Sequence, residues 1–131
     1  MSKIIEVVGA LVRDGGKTML AQRPQGKAQA GFWEFPGGKL EPGETVEQAL
    51  VRELREELAL EIENPRVIGS VVHEYPEKTI HLTLVECNRA ADSIPCPQEH
   101  QAVDWFDSES IKSISICPAD VELIKRLGIH I

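Results

Sequence analysis

The chain has 131 residues, enough for one domain, expected over 1–131, that buries a core without help from disulfides. Its 14 basic and 21 acidic residues give a net charge of −7, which excludes a general nucleic-acid binder with a basic face and obliges any phosphorylated ligand to find its cations locally. Cys87, Cys96 and Cys117 form no CxxC pair and no zinc set, and the opening MSKIIEVVGALVRDGG has no long apolar core, so a reduced, soluble, cytoplasmic protein without membrane contact is expected.

Residues 3–12 are rich in Ile and Val and alternate imperfectly with polar residues, which predicts a strand buried on at least one face. Asp14-Gly15-Gly16 supplies a tight turn, and residues 18–22 read as the hairpin partner, placing Arg23 at its end. A polar loop over 24–31 leads to the aromatic cluster Phe32-Trp33-Glu34-Phe35 and a bend at Pro36-Gly37-Gly38. Helical periodicity runs from Thr45 to Leu58, with Glu44 ahead of it where negative charge suits the helix dipole. After a linker closed by Pro65, residues 67–74 and 79–86 read as a second hairpin turning at Tyr75-Pro76-Glu77-Lys78. Residues 88–97 read as a loop, 102–106 as a short strand, and Pro118 to Leu127 as a last helix ended by Gly128. Strands mixed with helices on this pattern predict an α/β (α+β) layered domain.

On a wheel of about 100° per residue, Val46, Ala49, Leu50, Glu53 and Glu57 share one face of the first helix, and Glu56 lies about 60° from Glu53 on the same side. Most Glu-rich helices are solvated and laced with i, i+4 pairs such as Arg52 with Glu56. That explains this register poorly, because clustered inward carboxylates repel one another and must take up protons or a cation. Oxygen-only ligation points to Mg²⁺, with Mn²⁺ able to substitute, and the absence of His and Cys from the helix disfavours zinc.

Residues 38–60 resemble the Nudix box, Gly-x5-Glu-x7-Arg-Glu-apolar-x-Glu-Glu-x-Gly-apolar, through Gly38, Glu44, Arg52, Glu53, Leu54, Glu56, Glu57 and Leu60. Ala59 stands where that family usually has glycine, at the helix end, so it removes no ligand and costs some turn geometry. Flanking residues extend the likeness over nearly the whole chain. Gln22-Arg23-Pro24, Gly31 through Lys39, Glu99-His100-Gln101 and Pro118-Ala119-Asp120 resemble the MutT branch of the Nudix hydrolases and its cytidine-triphosphate-cleaving relatives.

The resemblance implies an α/β/α sandwich with a mixed β-sheet, the acidic helix on one face and the last helix on the other. It also implies attack by metal-activated water on a nucleoside triphosphate, releasing the monophosphate and pyrophosphate, a reaction that sanitises the nucleotide pool of 8-oxo-dGTP or of CTP, dCTP and modified cytidine triphosphates. By that likeness Glu53, Glu56, Glu57 and the Gly37 carbonyl hold metal, Glu99 is an additional ligand or base, and Glu53 or Glu99 is the general base. Arg52 orients the glutamates, and Glu44 helps through water or by bracing Arg52. Arg23 and Lys39 are candidates for phosphate contacts, with ordinary surface cations as the alternative.

Phe35 and Tyr75 are candidates for the base slot or plain core. At the position of Asp120 the MutT branch carries asparagine; an ionised aspartate only accepts hydrogen bonds, which suits an amino group or a protonated ring nitrogen, while a helix-start cap is its other reading. The partner expected is a small nucleotide and not a nucleic-acid polymer, and the oligomeric state is not legible. Competing readings are hydrolysis of another nucleoside diphosphate-linked compound, such as ADP-ribose or a dinucleoside polyphosphate, and a nucleotide-binding module without turnover.

Overall fold

The computed structural model of the chain describes residues 3–98 and 102–131. In chain order it runs β1 (Ile4–Asp14), β2 (Lys17–Gln22), β3 (Trp33–Glu34), β4 (Gly37–Lys39), α1 (Val46–Leu58), β5 (Ile62–Tyr75), β6 (Lys78–Arg89), β7 (Ala102–Phe106), a 3-10 turn at Ser110–Ser113, and α2 (Pro118–Leu127). The main sheet has the order β3-β2-β1-β6-β5, with β4 also paired to β1 and β7 to β2. Among the described strands β1 and β6 run parallel, from Ile4 opposite Thr79 to Arg13 opposite Asn88, and the other strand pairs are antiparallel. It is the expected mixed sheet.

Side chains on a strand alternate between faces, and β1 uses both. Val8, Ala10 and Val12 join Met19, Val85 and Cys87 against Ala49, Leu50, Leu54 and Leu58 of α1. Leu11, Leu20, Leu82, Leu84 and Val71 face the other way, against Ala119 and Leu123 of α2. Two cores, one per sheet face, thus make the α/β/α sandwich. Among the described residues no helix is long and apolar enough to cross a membrane.

The structure departs from the sequence reading in several elements: β1 runs on to Asp14, the short strands β3 and β4 stand where only an aromatic cluster and a bend were expected, and β5 and β6 are longer. β5 starts at Ile62 rather than 67, because Asn64-Pro65 is absorbed as an irregularity between Glu63 and Arg66, with Asn64 at φ 55. Proline lacks a donor but is tolerated at such a bulge on an edge strand, so it does not close a linker here. β6 extends to Arg89, past the expected start of a loop at 88, since its parallel pairing with β1 runs to Asn88 and Arg89 pairs with Ile62 of β5.

α1 begins with a reciprocal cap: the Gln48 N–H donates to Thr45 Oγ1 (3.1 Å) and the Thr45 N–H to Gln48 Oε1 (2.9 Å). It ends at Ala59 with φ 51, where the Leu60 N–H reaches back to the Leu54 carbonyl at 3.1 Å. This is the left-handed position at which the sequence departs from the family's glycine.

Candidate active site

The acidic helix presents its carboxylates differently from the wheel. Its buried stripe is Ala49, Leu50, Leu54 and Leu58, so the apolar face swings sideways in the second half of α1 and leaves the glutamates along its border. The Glu53 side chain is 12% exposed, whereas that of Glu56, bordering the same cleft, is 60% exposed. Glu57 is half-buried. Burial first, then the charge of Glu53 and a hydrogen bond between the two carboxyl groups, pushes Glu57 up to about 7.

Arg52 ties this end together. Its Nε and Nη2 donate to the two oxygens of Glu44 at 2.7 and 2.8 Å, a paired contact that holds Glu44 down at about 2. Its Nη1 donates to Glu53 Oε1 (3.0 Å) and Glu56 Oε2 (3.3 Å), and Nη2 also to the Lys39 carbonyl (3.0 Å). Arg52 therefore fixes Glu53, Glu44 and the end of β4 as one unit.

The glycine bend makes room for the carboxylates. A Cβ on Gly38 would stand 2.5 to 2.7 Å from the carboxyl atoms of Glu53, and one on Gly37 would run into the Val8 carbonyl of β1. A side chain at Gly37 is therefore excluded by backbone, while one at Gly38 would have to displace the Glu53 carboxyl group.

The donors suit a hard divalent cation: they are carboxylates, and Glu57 is raised by burial first and then by the charge of Glu53, a partly desolvated pair of acids that a divalent cation would satisfy. Among the described residues no three His, Cys, Asp or Glu side chains are already gathered around one point. Arg52 Nη1 instead holds Glu53 and Glu56 together. Glu99, the additional ligand or base expected from the sequence, lies outside the described residues. The chain just before it is docked on this helix, with the Cys96 and Gln98 N–H groups donating to the Leu58 (2.6 Å) and Glu57 (2.9 Å) carbonyls.

The other end is built on α2. Asp120 is 5% exposed and is no cap: the residue ahead of the helix is Cys117, whose side chain makes no capping bond. Instead Asp120 Oδ2 accepts the Phe35 N–H at 2.8 Å, stapling α2 to the segment between β3 and β4. Burial and then the charge of Glu34 push Asp120 up to about 8. Burial therefore favours the neutral carboxyl, which has one donor and spare acceptor capacity, over the ionised, accept-only form that the sequence suggested.

Phe35 is 4% exposed and packs in the α2-side core, yet borders the cleft. Tyr75 closes β5; its ring lies 4.5 Å from that of His73, and its hydroxyl accepts the Ala119 N–H at 3.3 Å. His73 Nδ1 is in turn 3.2 Å from Glu122 Oε1.

A single cleft of about 860 Å³ joins the two ends. Arg23, Phe35, Gly37, Lys39, Glu53, Glu56, Glu57, Tyr75 and Asp120 line it, while Glu44 and Arg52 sit behind the glutamates. Arg23 is already engaged: Nε donates to the Ala28 carbonyl (2.7 Å) and Nη1 to both oxygens of Glu34 (3.2 and 3.3 Å). The sequence reading singled out neither Glu34 nor the lining residues Lys27, Gln29, Lys78 and Gln98. For Glu34 a signal existed. A lone charge among Phe32, Trp33 and Phe35 needs a partner, and Arg23 stands at the end of the neighbouring strand.

Comparison with known proteins agrees with this geometry. The family model described as NUDIX domain matches residues 3–127. CTP pyrophosphohydrolase of Escherichia coli is 42% identical over 123 residues, 94% of this chain and 90% of that protein. 8-oxo-dGTP diphosphatase of Haemophilus influenzae is 36% identical over 126 residues, 95% of this chain and 92% of that one. Among solved structures, the MutT NUDIX hydrolase from Burkholderia pseudomallei superposes with a TM-score of 0.84 at 25% identity, covering 95% of this chain and 98% of that one.

Proposed function

The chain belongs to the Nudix hydrolase family, and from that premise we propose that it is a MutT-type nucleoside triphosphate pyrophosphohydrolase, cutting a (d)NTP to the monophosphate and pyrophosphate. The observation that carries this is the single cleft with crowded carboxylates on α1 at one end and a buried, directed polar group, Asp120, at the other. A triphosphate needs the first and a base needs the second.

Nudix hydrolases depend on divalent metal, and Mg²⁺ is proposed here, with Mn²⁺ as a substitute; Glu53, Glu56, Glu57 and the Gly37 carbonyl would hold it, with Glu99 as a further ligand. When bound, the metal supplies neutralisation of phosphate charge and polarisation of the attacking water. The protein's own groups do the rest. Arg52 keeps the Glu53 carboxylate aimed at the cleft. Glu53 or Glu99 takes the proton of the attacking water. Arg23 and Lys39 border the path of the phosphates, and Phe35 and Tyr75 offer ring faces to a base whose edge meets Asp120.

Cytidine triphosphates are the proposed preferred class, supported by the 42% likeness to a CTP pyrophosphohydrolase. 8-oxo-dGTP is the second reading, favoured by one observation: a protonated Asp120 presents the donor and acceptor pattern of asparagine. Either substrate makes this a nucleotide-pool enzyme. Incubation with Mg²⁺ and a panel of CTP, dCTP, 5-methyl-dCTP, 8-oxo-dGTP, dGTP, ADP-ribose and dinucleoside polyphosphates decides it. Pyrophosphate and a monophosphate from one of the first four are expected; orthophosphate alone, or turnover confined to ADP-ribose, contradicts the reading.

A further inference from the structure

Behind the Tyr75 wall of the cleft stand two side chains that do not line it, His73 and Glu122. Faces alternate along a strand, so His73 and Tyr75, two residues apart near the end of β5, point to the same side and are half-buried while Val72 and Glu74 between and beside them are exposed. α2 meets them with Ala119, Glu122 and Arg126, at the i, i+3 and i+7 spacing of one helix face.

The contacts form one chain across that seam. Arg126 Nε approaches Glu122 Oε2 at 3.7 Å, and Glu122 Oε1 lies 3.2 Å from His73 Nδ1. With Glu122 as acceptor, the proton of the imidazole sits on Nδ1 and the plane of the ring is set. That ring rests on Tyr75, centroids 4.5 Å apart and planes at 59°. The other end of Tyr75 is held as well: its hydroxyl accepts the Ala119 N–H at 3.3 Å, an amide that the first turn of a helix leaves without a partner of its own.

Tyr75 is therefore gripped at its ring and at its hydroxyl, and both grips are anchored on α2. The same helix carries Asp120, so the wall of the base slot and the group that meets the base edge share one support. A ring held in place before the ligand arrives loses less freedom on binding than one that must be ordered by it, and the saving appears as affinity.

We propose, on the assignment of Tyr75 to the base slot given above, that His73, oriented by Glu122, is the positioning residue that holds the Tyr75 ring as a stacking wall, so that the pair sets how tightly the nucleotide is held without entering the chemistry. Stacking is tolerant of base identity, so this pair governs affinity while Asp120 governs the choice of base.

The test is steady-state kinetics at saturating Mg²⁺, on the triphosphate that wild type turns over fastest, for His73→Ala, Glu122→Ala, the double variant and Tyr75→Ala. Tyr75→Ala should raise KM about ten- to a hundredfold, as expected for loss of a base–aromatic stack. His73→Ala should raise KM about three- to tenfold with kcat within about twofold of wild type, the mark of lost uniform binding. Glu122→Ala should act in the same direction, and should add nothing in the double variant, since it works through His73. A spectroscopic readout needs no turnover and serves should the histidine variant not fold. Tyr75 is the only tyrosine of the chain, so ring-labelled tyrosine gives one set of NMR signals. Glu122→Ala should move those signals although Glu122 does not touch Tyr75, because the His73 ring turns.

An unchanged KM in His73→Ala beside a raised KM in Tyr75→Ala, a fall in kcat in place of a rise in KM, or Tyr75 signals indifferent to Glu122→Ala would each overturn the proposal. An unchanged KM in Tyr75→Ala would remove Tyr75 from the base slot and the proposal with it. Should wild type cleave no triphosphate at all, the proposed function fails separately; calorimetric titration of the same variants with cytidine and guanosine monophosphates then decides the positioning role, with Kd in place of KM.

Discussion

At the α1 end of the cleft, carboxylates stand along the border of a helix and one arginine holds them; at the α2 end, Asp120 is 5% exposed and rests on a backbone amide. The first arrangement keeps negative charge together, since Arg52 leaves Glu44 far below the ordinary carboxylate range and fixes Glu53 beside Glu57. The second removes charge, because burial pushes Asp120 up to about 8. One family of side chain therefore serves two purposes according to its surroundings: charge for a cation and phosphates, and a neutral hydrogen-bonding edge for a base.

The sharpest way to break the first arrangement without touching a carboxylate is Gly38→Ala. The added Cβ must displace the Glu53 carboxyl group, and a shift of that size at a reacting centre should lower kcat by about 100-fold. Circular dichroism and the melting temperature should stay near wild type, because the clash is with a movable side chain. An unchanged kcat would mean that Glu53 has no fixed geometric role.

Asp120→Asn tests the second arrangement through pH. The folded-state carboxyl binds its proton more tightly than the unfolded one, so between about 4 and about 8 the native state carries the extra proton and stability falls as pH rises through that window. Asparagine keeps an acceptor for the Phe35 N–H and carries no titration. Urea melts at pH 5 and pH 8 should therefore show a smaller decline for Asp120→Asn than for wild type; equal declines would show that Asp120 is ionised when folded.

The smallest effect expected is at Ala59, which adopts φ 51 at the end of α1. Ala59→Gly should stabilise the protein by about 1 kcal/mol, read from denaturant melts, and leave activity unchanged.

The contrast between the two ends also explains what the sequence disclosed. α1 was legible because its ligating pattern lies within one helix, where spacing alone fixes which side chains meet. What spacing does not give is depth: Glu53, Glu56 and Glu57 all line the cleft, but Glu56 stands far more exposed than Glu53 because Leu54 and Leu58 draw the buried stripe toward the sheet. The far end is assembled from β3, the β5–β6 turn and α2, and no local period links Phe35, Tyr75 and Asp120. Phe35 and Tyr75 stand out in the sequence only as aromatic rings beside strands and Asp120 only by family likeness, and the upward shift of Asp120 is not legible there because it depends on burial. β3 and β4 are two and three residues long, too short for any alternation to register, which is why Glu34 was passed over.

The most direct measurement is steady-state hydrolysis and nucleotide binding by Glu53→Gln, taken beside wild type at saturating Mg²⁺. Loss of about 1,000-fold or more in kcat, with triphosphate affinity and melting temperature retained, is expected if the α1 carboxylates do the chemistry while the α2 end does the recognition. A Glu53→Gln variant that hydrolyses triphosphates at the wild-type rate would contradict that division of labour.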